Sequence, residues 1–185
     1  VGSEMCIRDR KIDCIIAIDP GSNGGIVVFK HNEICYNLKM PKDLRDLRPF
    51  FQHLKDTCKY PIVLLERQTI RPDDLQFGKA IRIQRFLNSY QTLQNLIDEY
   101  IMPYVLIHPS VWQRRLHLVI KDKETDTQRK NRYKEAAQGF YPLVNATLWN
   151  ADALLILHCG RVLLANEKDY INRNIIEPKN NFGLM

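Results

Sequence analysis

At 185 residues, 45% of them hydrophobic, with a net charge of +6, the chain is sized for one domain with a sizeable core rather than two. No apolar run reaches bilayer-spanning length and no secretory pattern opens the chain, so a cytoplasmic protein without a membrane anchor is expected. The five cysteines (Cys6, Cys14, Cys35, Cys58, Cys159) form no CxxC pair and no histidine stands at zinc-finger spacing, which argues for reduced thiols rather than a disulfide or zinc scaffold.

Residues 1–10 (VGSEMCIRDR) have no periodicity and run abruptly into an apolar stretch. They are read as adapter-like, non-native sequence, and their charges cancel. The remainder divides into a domain at 11–165 and a tail at 166–185. Within the domain, strands are expected at 14–19, 24–30 and 33–38. The short His31-Asn32 connection marks the last two as an antiparallel hairpin. A helix over 47–58 follows, with Asp46 as its N-cap and Pro49 in its first turn. A buried strand spans 61–66, a polar loop 67–77 and an amphipathic helix 78–100. Then come a strand at 104–108, a short helix capped by Ser110 and carrying Trp112, and a loop at 119–125. A basic helix over 126–140 stops before Pro142, and a strongly apolar helix spans 150–165. The order βββαβαβα gives an α/β domain: a mixed five-stranded sheet with helices on both faces.

Two of these strands end in an acid. IIAIDPGSNGG (15–25) places Asp19 after four apolar residues and before a flexible turn, and PIVLLE (61–66) ends in Glu66. A carboxylate at the end of a buried strand is costly to desolvate without a cation. In a mixed sheet the first and fourth strands can be neighbours. Asp152 stands in the first turn of the last helix, where the helix dipole favours an acid. Three converging carboxylates need a divalent cation, and an all-oxygen site suits Mg²⁺, or Mn²⁺ in its place. Two such ions form the clamp used in phosphodiester cleavage.

IDPGSNGG (18–25), LLERQ (64–68), HPSVWQRRL (108–116) and NADALLIL (150–157) together resemble the RuvC-type Holliday junction resolvases, especially their phage and prophage branch. The resemblance implies a ribonuclease-H-like fold, a homodimer, Mg²⁺ dependence and paired nicking of four-way DNA junctions in recombination and repair. It makes Asp19 the bridging ligand of two ions, with Glu66 and Asp152 each binding one. Trp112 reads either as a helix-positioning residue near DNA or as a core aromatic, and His108 as part of the same segment. The family places a fourth acid, or a histidine, about a turn before the position of Asp152. Here Leu148 and Trp149 stand there, and Asn150 is the nearest oxygen ligand. The aromatic that the family carries after its second acid is replaced by Thr69, with Phe77 the nearest ring. These departures leave two alternatives open: a weak or inactive nucleic-acid-binding relative, and a nuclease of the same fold acting on structured RNA.

The basic residues cluster around the acids. Arg67, Arg71, Lys79, Arg82 and Arg85 follow Glu66, while Arg114, Arg115, Lys121, Lys123, Arg129, Lys130 and Arg132 precede Asp152. Such cations would hold phosphates and position a duplex without reading its sequence. The basic helix also allows local pairs, Asp126 with Lys130 and Arg132 with Glu135. The apolar face of helix 78–100 is the expected dimer contact.

Overall fold

The computed structural model describes residues 12–69 and 80–178. Its sheet has six strands in the order β3-β2-β1-β4-β5-β6: β1 (Cys14–Ile18), β2 (Gly25–Lys30), β3 (Glu33–Lys39), β4 (Pro61–Glu66), β5 (Tyr104–Ile107) and β6 (Ile175–Ile176). β2 runs antiparallel to both β1 and β3, β1, β4 and β5 are parallel, and β6 closes the far edge antiparallel to β5. The β2–β3 hairpin forms as expected. His31 and Asn32 both have positive φ (50° and 67°), the backbone a two-residue turn of primed type requires. The sixth strand corrects the five-stranded expectation. Two residues are too few to show a periodicity, and they lie beyond the last predicted element.

Alternation along the strands sorts side chains to two faces. Ile15, Ala17, Val27, Ile62, Leu64, Val105 and Ile107 face α3 (Pro109–Arg115), α4 (Asp126–Phe140), α5 (Ala151–Asn166) and α6 (Lys168–Asn174). Cys14, Ile16, Ile18, Ile26, Val28, Val63 and Leu65 face α1 (Arg48–Thr57) and α2 (Ala80–Glu99). The central α5 lies close on β4, because Gly160 leaves room for Leu64; a Cβ there would stand 2.0 Å from Leu64 Cδ1.

Several boundaries shift for local reasons. Asp43, not Asp46, caps the first helical turn, accepting from the Arg45 amide at 2.9 Å. That turn is a 3-10 helix, Leu44–Leu47, running into α1, whose first turn holds Pro49. His108, not Ser110, is the N-cap of α3, its ring accepting from the Ser110 amide, with Pro109 in the first turn. α4 spans the expected residues and is stabilised by a reciprocal capping box between Thr125 and Gln128.

Candidate active site

Asp19 and Glu66 are brought together by register and parity. β1 and β4 pair in parallel with Ile18 opposite Leu65, so the next residues, Asp19 and Glu66, sit side by side. Counting in twos from Ala17 and from Leu64 puts both on the α5 face. Asp152 stands in the first turn of α5 on that same face.

Asp19 is held by its own turn. The Gly21 amide donates to Oδ1 at 3.1 Å, the Gly24 amide donates to the Gly21 carbonyl at 2.7 Å, and the Asp19 amide donates to Gly25 at 3.0 Å. Gly24 has no room for a side chain: a Cβ would lie 2.2 Å from the Asp19 carbonyl oxygen and 2.8 Å from Oδ2. Glu66 is buried at 9% exposure. Its Oε1 accepts from Trp112 Nε1 at 3.0 Å and its Oε2 from Gln68 Nε2 at 3.2 Å. Neither partner of Glu66 was singled out as such from the sequence; LLERQ places Gln68 two residues on, but nothing local reveals the reach of Trp112.

The electrostatics are those of acids short of countercharge. Burial, then the charges of Asp19 and Asp152, push the Glu66 pKa up to about 8, against the opposing Trp112 and Gln68 bonds. Burial and Asp19 push Asp152 up to about 7, partly offset by Lys130 and Arg129. Burial raises Asp19 as well, opposed by the Gly21 amide and Lys130. Among the described residues no three His, Cys, Asp or Glu side chains close into a ready-made metal cage. The mutual repulsion of the three acids is nevertheless what a cation would relieve. Each oxygen of Glu66 also keeps lone-pair capacity beyond the one N–H it accepts. The chemistry of the donor set would suit a hard divalent ion, for which Asp19, Glu66 and Asp152 are the candidate protein ligands.

Asn150 is differently employed. Its Oδ1 accepts from the Thr147 amide (2.6 Å) and hydroxyl (3.0 Å), and its Nδ2 donates to Asn37 Oδ1 (3.2 Å) and the Asn145 carbonyl (3.1 Å). Both acceptor positions of the amide oxygen are taken, so Asn150 braces the start of α5 rather than presenting a free ligand. Leu148 is 55% exposed, and Trp149 packs its ring over Gly25 of β2.

The cations divide into free and engaged. Arg132 donates twice to Glu124 (both 2.7 Å) instead of pairing with Glu135, and Asp126 pairs with Arg129 at 2.9 Å instead of Lys130. Arg115 pairs with Glu167 at 2.6 Å and lies over the Tyr170 ring. Arg67, Arg82, Arg114, Lys121, Lys123 and Lys130 are exposed and form no ion pair among the described residues. Lys130 lies within electrostatic reach of both Asp19 and Asp152. Beside the Asp19 turn, Pro20, Gly21 and Ser22 form one wall of a cleft that Lys42, Arg82, Arg85 and Phe86 also line. Arg71, Lys79 and Phe77 lie outside the described residues. His108 serves as a helix cap, and His158 stacks on Phe140 with ring centroids 3.8 Å apart.

This architecture is the ribonuclease-H-like α/β fold: a mixed sheet with an antiparallel hairpin at one side, parallel central strands and helices on both faces. Within that class it is similar to solved structures of RuvC. The structure of T. thermophilus RuvC in complex with a Holliday junction substrate superposes with a TM-score of 0.54 at 16% identity, over 84% of this chain and 97% of that one. Thermus thermophilus RuvC gives 0.50 at 16% identity, over 82% and 95%. No family profile and no curated protein matches the sequence. At this identity the similarity is one of fold.

Proposed function

We propose that the protein is a divalent-metal-dependent endonuclease that cleaves four-way DNA junctions, acting as a homodimer. The observation that carries this reading is the pairing of Ile18 with Leu65, which sets Asp19 beside Glu66 on the face that also holds Asp152. Asp19 raises the pKa values of both Glu66 and Asp152, and Asp152 raises that of Glu66 further. The fold in common with a protein solved on a Holliday junction supports the substrate class.

Asp19, Glu66 and Asp152 would be the protein ligands of two Mg²⁺ ions. Bound there, the ions supply Lewis-acid polarisation of the scissile phosphodiester and neutralise its developing charge. The chain's own contribution is placement. The Gly21 amide fixes the rotamer of Asp19, the Asn150 bracket fixes the start of α5 and so Asp152, and Lys130 adds positive potential where a phosphate would approach. Arg67, Arg82, Arg114, Lys121 and Lys123 would hold the flanking phosphates. Exposed Ile81 and Leu87 leave apolar side chains on α2, where a second copy would dock to supply the second nick.

The test is cleavage of labelled four-way junctions, linear duplex and structured RNA, each with Mg²⁺ and with EDTA. Paired, Mg²⁺-dependent nicks in the junction alone are expected. Asp19→Asn should lower their rate by at least about 100-fold with junction binding retained. Binding without cleavage by the wild type would make the chain an inactive relative, and preferential cleavage of RNA would reassign its substrate.

A further inference from the structure

We infer that Trp112 is a positioning residue for the metal site, its indole N–H fixing the Glu66 carboxylate and tying that group to α3. The inference rests on the proposed metal site. Trp112 is only 1% exposed and its Nε1 stands 3.0 Å from Glu66 Oε1, in a bond that is itself buried. An indole has one donor and no acceptor, so the bond has a fixed sense: the carboxylate oxygen accepts. With Gln68 donating to Oε2, each oxygen of Glu66 receives one N–H from the protein. That pins the plane of the carboxylate and leaves its remaining lone pairs for a cation.

The ring itself is held. It packs edge-on against Tyr133 of α4 with centroids 5.1 Å apart and planes at 73°, and the Tyr133 hydroxyl donates to the Leu118 carbonyl at 3.3 Å. α3 is only seven residues long, and its start is set by the His108 cap and Pro109. A route of fixed groups thus runs from the end of β5 through α3 to Glu66. Packing alone does not call for a tryptophan here, since a phenylalanine would fill much of the space. A buried N–H without an acceptor is unfavourable, so the indole and the carboxylate each require the other. Outer groups of this kind orient metal ligands, and their loss weakens metal binding about 10- to 100-fold.

The test uses the full chain and Mg²⁺ alone. The protein has two tryptophans, so its indole N–H resonances are few enough to follow by nitrogen-15 NMR. The Trp112 resonance, identified by its absence in Trp112→Phe, should shift on Mg²⁺ titration, and Glu66→Gln should abolish the shift. Trp112→Phe should weaken Mg²⁺ binding, measured by calorimetry, about 10- to 100-fold. Leu163→Ala loosens the same core without touching Glu66 or the groups that hold Trp112; it should lower the melting temperature and leave Mg²⁺ affinity unchanged. Equal Mg²⁺ affinity in wild type and Trp112→Phe overturns the positioning role while leaving the metal site standing. So does an equal loss in Leu163→Ala, which would make the effect one of packing. If Trp112→Phe fails to fold, an unmoved wild-type indole resonance under saturating Mg²⁺ overturns the role by itself. Failure of the wild type to bind Mg²⁺ at all overturns the metal site and this inference together.

Discussion

The protonation of Glu66 links stability to pH. In the unfolded chain it titrates at its ordinary value of 4.5, and in the folded metal-free protein at about 8; for Asp152 the values are 3.8 and about 7. The folded state therefore binds protons more tightly than the unfolded state. The associated stability is fully present below the unfolded values and is lost as pH rises through about 7 to 8. Metal-free protein should melt at progressively lower temperature from about pH 5 to about pH 8.5, and Mg²⁺ should restore most of the loss at the alkaline end. Thermal unfolding with EDTA and with Mg²⁺ across that range measures both. A metal-free melting temperature that rises with pH would contradict the charge deficit. Gly24 constrains the turn that carries Asp19. A side chain there would meet the Asp19 backbone, which cannot step aside as the tip of a flexible side chain can. Gly24→Ala should therefore depress cleavage well beyond its effect on melting temperature, as steady-state rates set against thermal scans would show.

At the level of elements, the helix most central to the fold is the one with the tightest fit. α5 carries Asp152 at its start and Gly160 against Leu64 farther along. Helix propensity alone would favour alanine over glycine by about 1 kcal/mol. A Cβ 2.0 Å from Leu64 Cδ1 reverses the sign, since overpacking of a filled core is unfavourable by about 1–3 kcal/mol. Gly160→Ala is expected to destabilise the protein in denaturant unfolding, and combining it with Leu64→Ala should recover much of that loss in a double-mutant cycle. Strands β1, β2 and β4 were legible because buried apolar runs bounded by Gly and Pro carry their own signal. α4 was legible as a basic stretch stopped before Pro142, while the Thr125–Gln128 capping box that fixes its start emerged only in the structure. Asp19, Glu66 and Asp152 were legible as strand-end and helix-start acids, and the strand order supplied a reason for them to meet. What was not legible depends mostly on distant partners: the two-residue β6 exists only by pairing with β5, and Trp112 meets Glu66 across 46 positions of sequence; the start at Asp43 is the local exception, a choice between two nearby acids that the bond to the Arg45 amide decides.

For the whole molecule, the charge that matters is the charge left over after internal pairing. Residues 110–135 hold eight cations against four acids, yet Arg115, Arg129 and Arg132 are occupied by Glu167, Asp126 and Glu124. An occupied guanidinium that also braces the fold is a weaker phosphate ligand than an exposed ammonium, because binding DNA would require it to leave its carboxylate. Glu124 shows the strength of one such tie: the Arg132 bonds hold its pKa down at about 2. The two groups of cations should therefore separate in the salt dependence of junction binding. Each phosphate contact contributes a slope of about −0.9 in log K against log salt. Lys121→Ala, Lys123→Ala and Lys130→Ala should each flatten the slope by about 1 with little change in melting temperature. Arg132→Ala should do the opposite, lowering the melting temperature while leaving the slope near the wild-type value. Binding titrations over a tenfold range of salt, run beside thermal unfolding, distinguish the two. A slope flattened equally by Arg132→Ala and Lys130→Ala would mean that the Glu124 tie opens on DNA and that the engaged cations belong to the binding surface after all.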